Sequence, residues 1–344
     1  GPPGLPGQAC SNPVPLEMNP NCLSLNAVQV TTRRAEANGN AASLFLAPLL
    51  GIRKADVVTE AVARGIDNSG FACLLALHDG SGAMVYEGDE TLVLPGCSIQ
   101  VNSADPNAVE IAPTTPDVTV ASFCVTGGIT GDTSGIIQPP KTGNADCPPV
   151  PDPFASVDEP VVGDCTENNF NVTGGAPTLD PGVYCNGLNI ANSADVTFSP
   201  GTYIIKDGTF NVDGTSSVTG AGVTFFLTGN NTTFVNFNKD TQVDLSAPTT
   251  GPLFGLVFFG AREGNVSPNL TNRIGSNAHM RIEGTAYFPN GKIKIVSRIG
   301  GGESTSPYTG MIAQKFRFST NAAMHMNAAS GGTFDPGVRI TLVR

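Results

Sequence analysis

Apolar and polar positions follow a rhythm that changes near residue 70. From about residue 71 onward, short β-branched or aromatic runs are separated by Gly, Asn, Asp and Pro at intervals of roughly ten residues. Val223, Phe225 and Leu227 alternate with Thr224 and Phe226, while Leu256-Val257-Phe258-Phe259 is nearly continuous. Ile282, Ala286, Phe288, Ile293 and Ile295 continue the theme. Such runs predict many short strands with a stacked apolar core. The stretch before residue 70 has another texture. Ala27 to Thr32 and Val57 to Ala63 alternate as strands, and Ala41 to Leu50 (AASLFLAPLL) reads as a short helix after Asn38-Gly39-Asn40, broken at Pro48. The expected organisation is a Pro/Cys-rich segment over 1–24, a small α+β capping unit over 25–66, and a β-solenoid over 67–344 that is disulfide-rich up to about 185.

Short strands alone fit a sandwich, a barrel or a solenoid, so internal repetition decides. Pro181-Gly182-Val183-Tyr184 recurs as Pro200-Gly201-Thr202-Tyr203, and Ile190 and Val196 are matched by Val212 and Val218. A period near 20 is about one coil of a parallel β-helix, whose coils bury their apolar faces only by stacking. The fold class expected is therefore mostly β, a right-handed parallel β-helix with a small N-terminal α+β unit. Asn189, Asn211, Gly187, Gly208 and Gly214 are expected at its corners in left-handed conformations. An open end needs covering. The 25–66 unit would cap the first coil, and the alternating segment Phe334 to Arg344 would finish the solenoid, pair back, or add to another subunit's edge.

Composition agrees with this and narrows the partners. Gly (41) and Pro (27) are abundant and charged residues make up 14%, below the roughly 25% of soluble domains. Lys and Arg number 18 against 29 Asp and Glu, for a net charge of −11, so nucleic-acid binding is disfavoured. No apolar run is long enough to span a bilayer and no signal peptide is present. Gly1 to Gln8 (GPPGLPGQ) reads as a Pro-rich tail or the end of a collagen-like stalk. The cysteines are Cys10, Cys22, Cys73, Cys97, Cys124, Cys147, Cys165 and Cys185, with no CxxC pair. Eight scattered cysteines argue for disulfides in an oxidising compartment. Spacing favours Cys10–Cys22 and Cys165–Cys185 as local loops and leaves the four between them open.

The supply of catalytic groups is thin. His78, His279 and His325 stand apart from any motif that would make a base, and no GxSxG, HExxH, Walker loop or strand-borne GxGxxG occurs. Gly127-Gly128 and Gly300-Gly301-Gly302 read as loop glycines. Because many parallel β-helices cut pectin-like polymers, Asp207, Asp213, Asp240, Asp244 and Glu283, with Arg281, Lys292 and Lys294 nearby, form the alternative site, although no paired-Asp motif is present. Sequons begin at Asn171, Asn231, Asn265 and Asn269. No catalytic, cofactor or metal residues are expected.

Several longer stretches resemble a known family. Asn26 to Ile52 (NAVQVTTRRAEANGNAASLFLAPLLGI), Cys73 to Leu77 (CLLAL), Leu94 to Ser103 (LPGCSIQVNS), Cys147 to Ala155 (CPPVPDPFA), Pro181 to Ile190 (PGVYCNGLNI), Gly222 to Gly229 (GVTFFLTG) and Glu283 to Ile295 (EGTAYFPNGKIKI) resemble TadG-like proteins of the bacterial tight-adherence (Tad/Flp) pilus-assembly group. The resemblance implies a bacterial envelope protein tied to surface pili and adhesion, with no enzymatic activity. Family members usually begin with a transmembrane helix, which these residues lack, so a processed ectodomain or a released fibre subunit is expected. The expected function is an extracellular structural or adhesive surface protein, in its sharper form a filament subunit assembling through β-strand edges. Its partners would be further copies, other pilus or envelope proteins, or surface glycans. The alternative is a polysaccharide-binding or polysaccharide-cleaving β-helix.

Overall fold

A computed structural model describes strands at residues 27–34, 42–43, 54–55 and 57–64, then residues 72–319 apart from 114, 137–139, 144–145, 230–233, 239, 263–269, 275–279, 297 and 300–308, and finally 323–325. The chain forms two compact units, one of residues 1–68 with 337–344 and one of residues 69–336. In the first, Ala27–Arg34 pairs antiparallel with Val57–Arg64, and Ala42–Ser43 with Lys54–Ala55. The helix expected over 41–50 meets strand at Ala42 and Ser43, and its remainder lies outside the described residues, as do Cys10, Cys22, Gly1 to Gln8 and Phe334 to Arg344. Among the described residues there is no helix.

The second unit is mostly β, and every strand pairing in it is parallel. The strands stack into three ladders, here called A, B and C, and one pass through all three makes a rung. Gly201–Lys206 belongs to A, Phe210–Val212 to B and Ser217–Ala221 to C. Each strand pairs with its counterpart in the next rung: Tyr203 with Phe225, Val212 with Phe237, Val218 with Val243. Gly182–Ala191 is long enough to turn one corner and serve ladders A and B, and Met280–Ile295 turns two and serves all three. Through them, Gly182–Ala191, Gly201–Lys206, Val223–Thr228, Leu256–Gly260, Met280–Ile295, Thr271–Ile274, Val235–Phe237 and Phe210–Val212 close into a ring of parallel strands.

The sequence repeat and the ladder register differ in ladder A. Ile190 faces Val212 and Val196 faces Val218, at the spacing read from the sequence. The two Pro-Gly-x-Tyr corners, 19 residues apart in sequence, are offset in the ladder: Gly182 faces Tyr203. What repeats is the tie made by each tyrosine. The Tyr184 hydroxyl donates to Asp180 O (2.8 Å) and the Tyr203 hydroxyl to Ser199 O (2.7 Å), each four residues back. At Gly201, φ is +143° and an added Cβ would lie 2.4 Å from Pro181, so only glycine lets the two corners stack.

Inward side chains build one continuous core. Tyr184, Tyr203, Phe225, Phe258 and Phe288 lie in successive rungs of ladder A, with ring centroids 6.0, 5.2, 5.6 and 6.2 Å apart. Such contacts add about 0.5–1.5 kcal/mol each beyond area burial. This column explains half of the Phe-rich runs: Phe225 and Phe258 are inner core.

The order of rungs along the stack differs from their order in the chain. Ala72–Ala76 is the first strand of this unit, yet it lies inside the stack. One of its edges pairs with Thr309–Phe318 and the other with Thr91–Val101. From there the chain climbs through 98–120 and 122–136 to Lys141–Thr142. It then returns to the opposite end, where Glu167–Thr173 starts the rungs that build back up to 309–325.

Candidate functional site

Three outward features remain once the core is accounted for: the segment that makes the return, the strand left at the open end, and a polar column on ladder B.

The return segment runs from Cys147 to Cys165 as a strap over the outside of ladder A. The surface beneath it is an apolar column, one residue per rung: Val183, Ile204, Phe226, Phe259, Tyr287, Ile312 and Leu75. Val150, Phe154 and Val157 of the strap pack on this column. Ladder A is thus apolar on both faces, which is why VTFFLT and LVFFG read as continuous rather than alternating runs. Disulfides tie the strap at both ends, Cys124–Cys147 at one and Cys165–Cys185 at the other. Cys73–Cys97 joins neighbouring rungs in the interior.

Polar bonds fix the strap's middle. Asn102 donates to Val150 O (2.8 Å) and accepts from Val150 N (2.9 Å). Arg262 is the main anchor. Its guanidinium donates to Val157 O (2.8 Å), to Phe154 O and to the Tyr287 hydroxyl (3.1 Å), and lies 5.0 Å from the Phe259 ring centroid. Its backbone N–H donates to Glu159 Oε1 (2.6 Å). The Tyr287 hydroxyl donates in turn to Asp152 Oδ2 (2.7 Å). Burial, then the bonded Asp152, push the Tyr287 hydroxyl well above the usual tyrosine range.

Among the described residues, Glu167–Thr173 pairs on one side only, with Gly182–Ala191. Its side chains are exposed apart from the half-buried Phe170 and the buried Val172. A bulge at Asn169, which has φ of +49°, interrupts the register and leaves 170–173 as the regular part of this edge. At the opposite end the last described strands are the short Ile129–Thr130 and Lys141–Thr142.

The polar column on ladder B contains two residues expected at corners. Asn189 and Asn211 lie within strands and face each other in register, and the corners are made instead by Asn186, Asn192 and Asp207 in left-handed conformations. Gly187 and Gly214 do have positive φ, whereas Gly208 is glycine for closeness: a Cβ there would sit 2.2 Å from Asn186 C. In the column, Asn236 donates to Asn211 Oδ1 and Asn211 to Asn189 Oδ1, both at 2.6 Å. An in-strand amide can bond the amide one rung away, an advantage that a turn-forming reading of Asn does not register.

The acids of the alternative site are spread out. Arg281 holds both Asp244 (3.2 Å) and Glu283 (2.6 Å) on ladder C. Asp213 accepts from Asn238 (2.9 Å), while Asp207 and Asp240 occupy left-handed corners. Lys292 and Lys294 are on ladder B. His78 is half-buried 3.8 Å from Asp79, and burial followed by Lys315 lowers its pKa. His279 and the side chain of His325 lie outside the described residues. Gly127 and Gly128 sit against the backbone of Ala104, Asp105 and Pro106.

Residues 140–331, more than half of the chain, match the family model described as a domain of unknown function, DUF7305. The chain belongs to the DUF7305 family. Within this chain the DUF7305 segment starts just before the strap and takes in the rungs from Glu167–Thr173 up to 309–325, so the rungs at 72–136 lie outside it. A second model, of Tad-like Flp pilus-assembly proteins, matches residues 7–63 and relates the chain to the Tad group. No curated protein and no solved structure matches the chain. No helix among the described residues is long and apolar enough to cross a membrane. The pilus-assembly match and the disulfides are consistent with an extracellular or envelope location.

Proposed function

We propose that this protein is a secreted, structural component of a bacterial cell surface, akin to TadG-like proteins, and that it works by presenting and joining a rigid rod rather than by catalysis. The observation that carries this reading is the Tad-like pilus-assembly match over residues 7–63. The rod is a right-handed parallel β-helix: parallel crossovers take that hand in about 98% of cases, and the three-ladder stack supports the assignment. Disulfides tying the strap at both ends suit a protein that must hold its shape outside the cell. Copies join head to tail, the open edge at 170–173 meeting the short strands at the other end of the next copy. Such a contact does not close on itself and so extends as a filament. Adhesion would follow from many copies displayed along one axis.

The test is where the protein stands in the cell. Added protease is expected to digest it on intact cells, and a thiol reagent to label none of its disulfide cysteines until reductant is supplied. Protection until lysis, with freely labelled thiols, would overturn the reading.

A further inference from the structure

The polar column on ladder B continues beyond its asparagines, and its chemistry changes as it does. In register, Asn189 faces Asn211, Asn211 faces Asn236, Asn236 faces Arg273, Arg273 faces Lys294, and Lys294 faces Arg317. Beside this column Lys292 faces Lys315. Five of the chain's 18 lysines and arginines therefore occupy a two-column grid on three adjacent rungs, in a chain whose net charge is −11. Rungs are about 4.8 Å apart and alternate residues within a strand about 7 Å apart, so every cation has another cation as its nearest ladder neighbour.

Like charges placed directly opposite destabilise a sheet. One carboxylate relieves the crowding: Glu87 pairs with Lys294 (3.3 Å) and Arg317 (3.0 Å). Lys315 donates to Ser81 O (3.1 Å). Lys292 has no carboxylate within ion-pair distance among the described residues, and burial, then Arg317, Lys315 and Lys294, lower its pKa. Further along, His78 lies toward Lys315 with Asp79 beside it, and Glu110 stands two positions beyond Arg317 in the column. A stack indifferent to ligand would place Thr or Asn here, as it does one rung away at Asn236, opposite Arg273, and Thr271, opposite Lys292.

We propose that the outer face of ladder B binds a linear acidic polysaccharide lying along the stack. The grid of Arg273, Lys292, Lys294, Lys315 and Arg317 takes its carboxylates, and the Asn189–Asn211–Asn236 amides take its neutral hydroxyls. The amide end opens into a groove of ≈ 340 Å³ lined by Asn169, Asn171, Asn186, Asn189, Asp207 and Asn211. Its amides donate and accept in the way sugar hydroxyls require. Single-stranded nucleic acid would want aromatic platforms between the cations, and the outward positions of these rungs carry none among the described residues. A duplex needs many phosphate contacts, and the acidic remainder of the surface opposes it.

The probe is polygalacturonate, titrated onto the disulfide-intact full chain at low salt beside neutral dextran and duplex DNA. Polygalacturonate is expected to bind, less tightly as salt rises, and dextran is expected not to bind. Lys292→Gln combined with Lys315→Gln should weaken binding roughly tenfold, the loss of about two modest charge contacts. Glu87→Gln, which frees two cations, should tighten it several-fold. These opposite shifts separate a site from a folding defect, and an unchanged melting temperature checks the double variant. Absence of polygalacturonate binding, affinity indifferent to both changes, or equally tight DNA binding would overturn the proposal.

Discussion

At the scale of single residues, buried hydroxyls hold the corners of the stack. Tyr184 is 4% exposed and its hydroxyl donates to Asp180 O. Burial, and then the charges of Glu167 and Asp180, push its pKa from 10.0 up to about 12. The fold thus holds the neutral form. Tyrosine stabilisation is complete below pH about 10, where the unfolded chain is also neutral, and is lost as pH rises through the folded-state value. Between those values each such group costs up to about 1.4 kcal/mol per pH unit. Denaturant midpoints measured across this range are expected to fall less steeply for Tyr184→Phe than for the unsubstituted protein. Parallel curves would remove Tyr184 from the account of alkaline stability. The Pro-Gly-x-Tyr repeat was legible in the sequence, but its hydrogen bond was not, because the acceptor is a backbone carbonyl that any residue supplies.

At the scale of strands, legibility depends on how many faces are buried. Ladders B and C alternate cleanly, as in Phe210-Asn211-Val212, because one face meets the core and the other solvent. Ladder A does not, and its runs, such as Val223 to Leu227, hid the fact that a second surface covers them. The covering strap shows only as Val150, Phe154 and Val157 among prolines, a pattern with no strand or helix period. The position of Ala72–Ala76 was likewise beyond sequence reading, since local pattern says that a strand is buried but not which rungs flank it. Hydrogen exchange tests that position. The 72–76 segment, paired on both edges, should exchange as slowly as Leu256–Gly260, and Glu167–Thr173 much faster. Fast exchange at 72–76 would contradict the stacking order.

At the scale of the molecule, the second unit is built in two passes: an early set of rungs, a strap down the outside, and a later set that rises to meet the first. Long-range contacts of this kind make for slow folding but tie distant parts of the chain together. The Cys165–Cys185 pair expected from spacing is present, whereas the middle four cysteines were ambiguous, because Cys124–Cys147 ties an end of the strap, which no sequence pattern marks. The same plan leaves an open edge at Glu167–Thr173 and short strands at the far end, on which head-to-tail assembly rests. Electron microscopy of the purified, disulfide-intact full chain over a rising concentration series tests it most directly. Rows of particles lengthening along one axis, and shortened by a proline replacing Asn171 in the open edge, are the expected result. Isolated single particles at every concentration would contradict it.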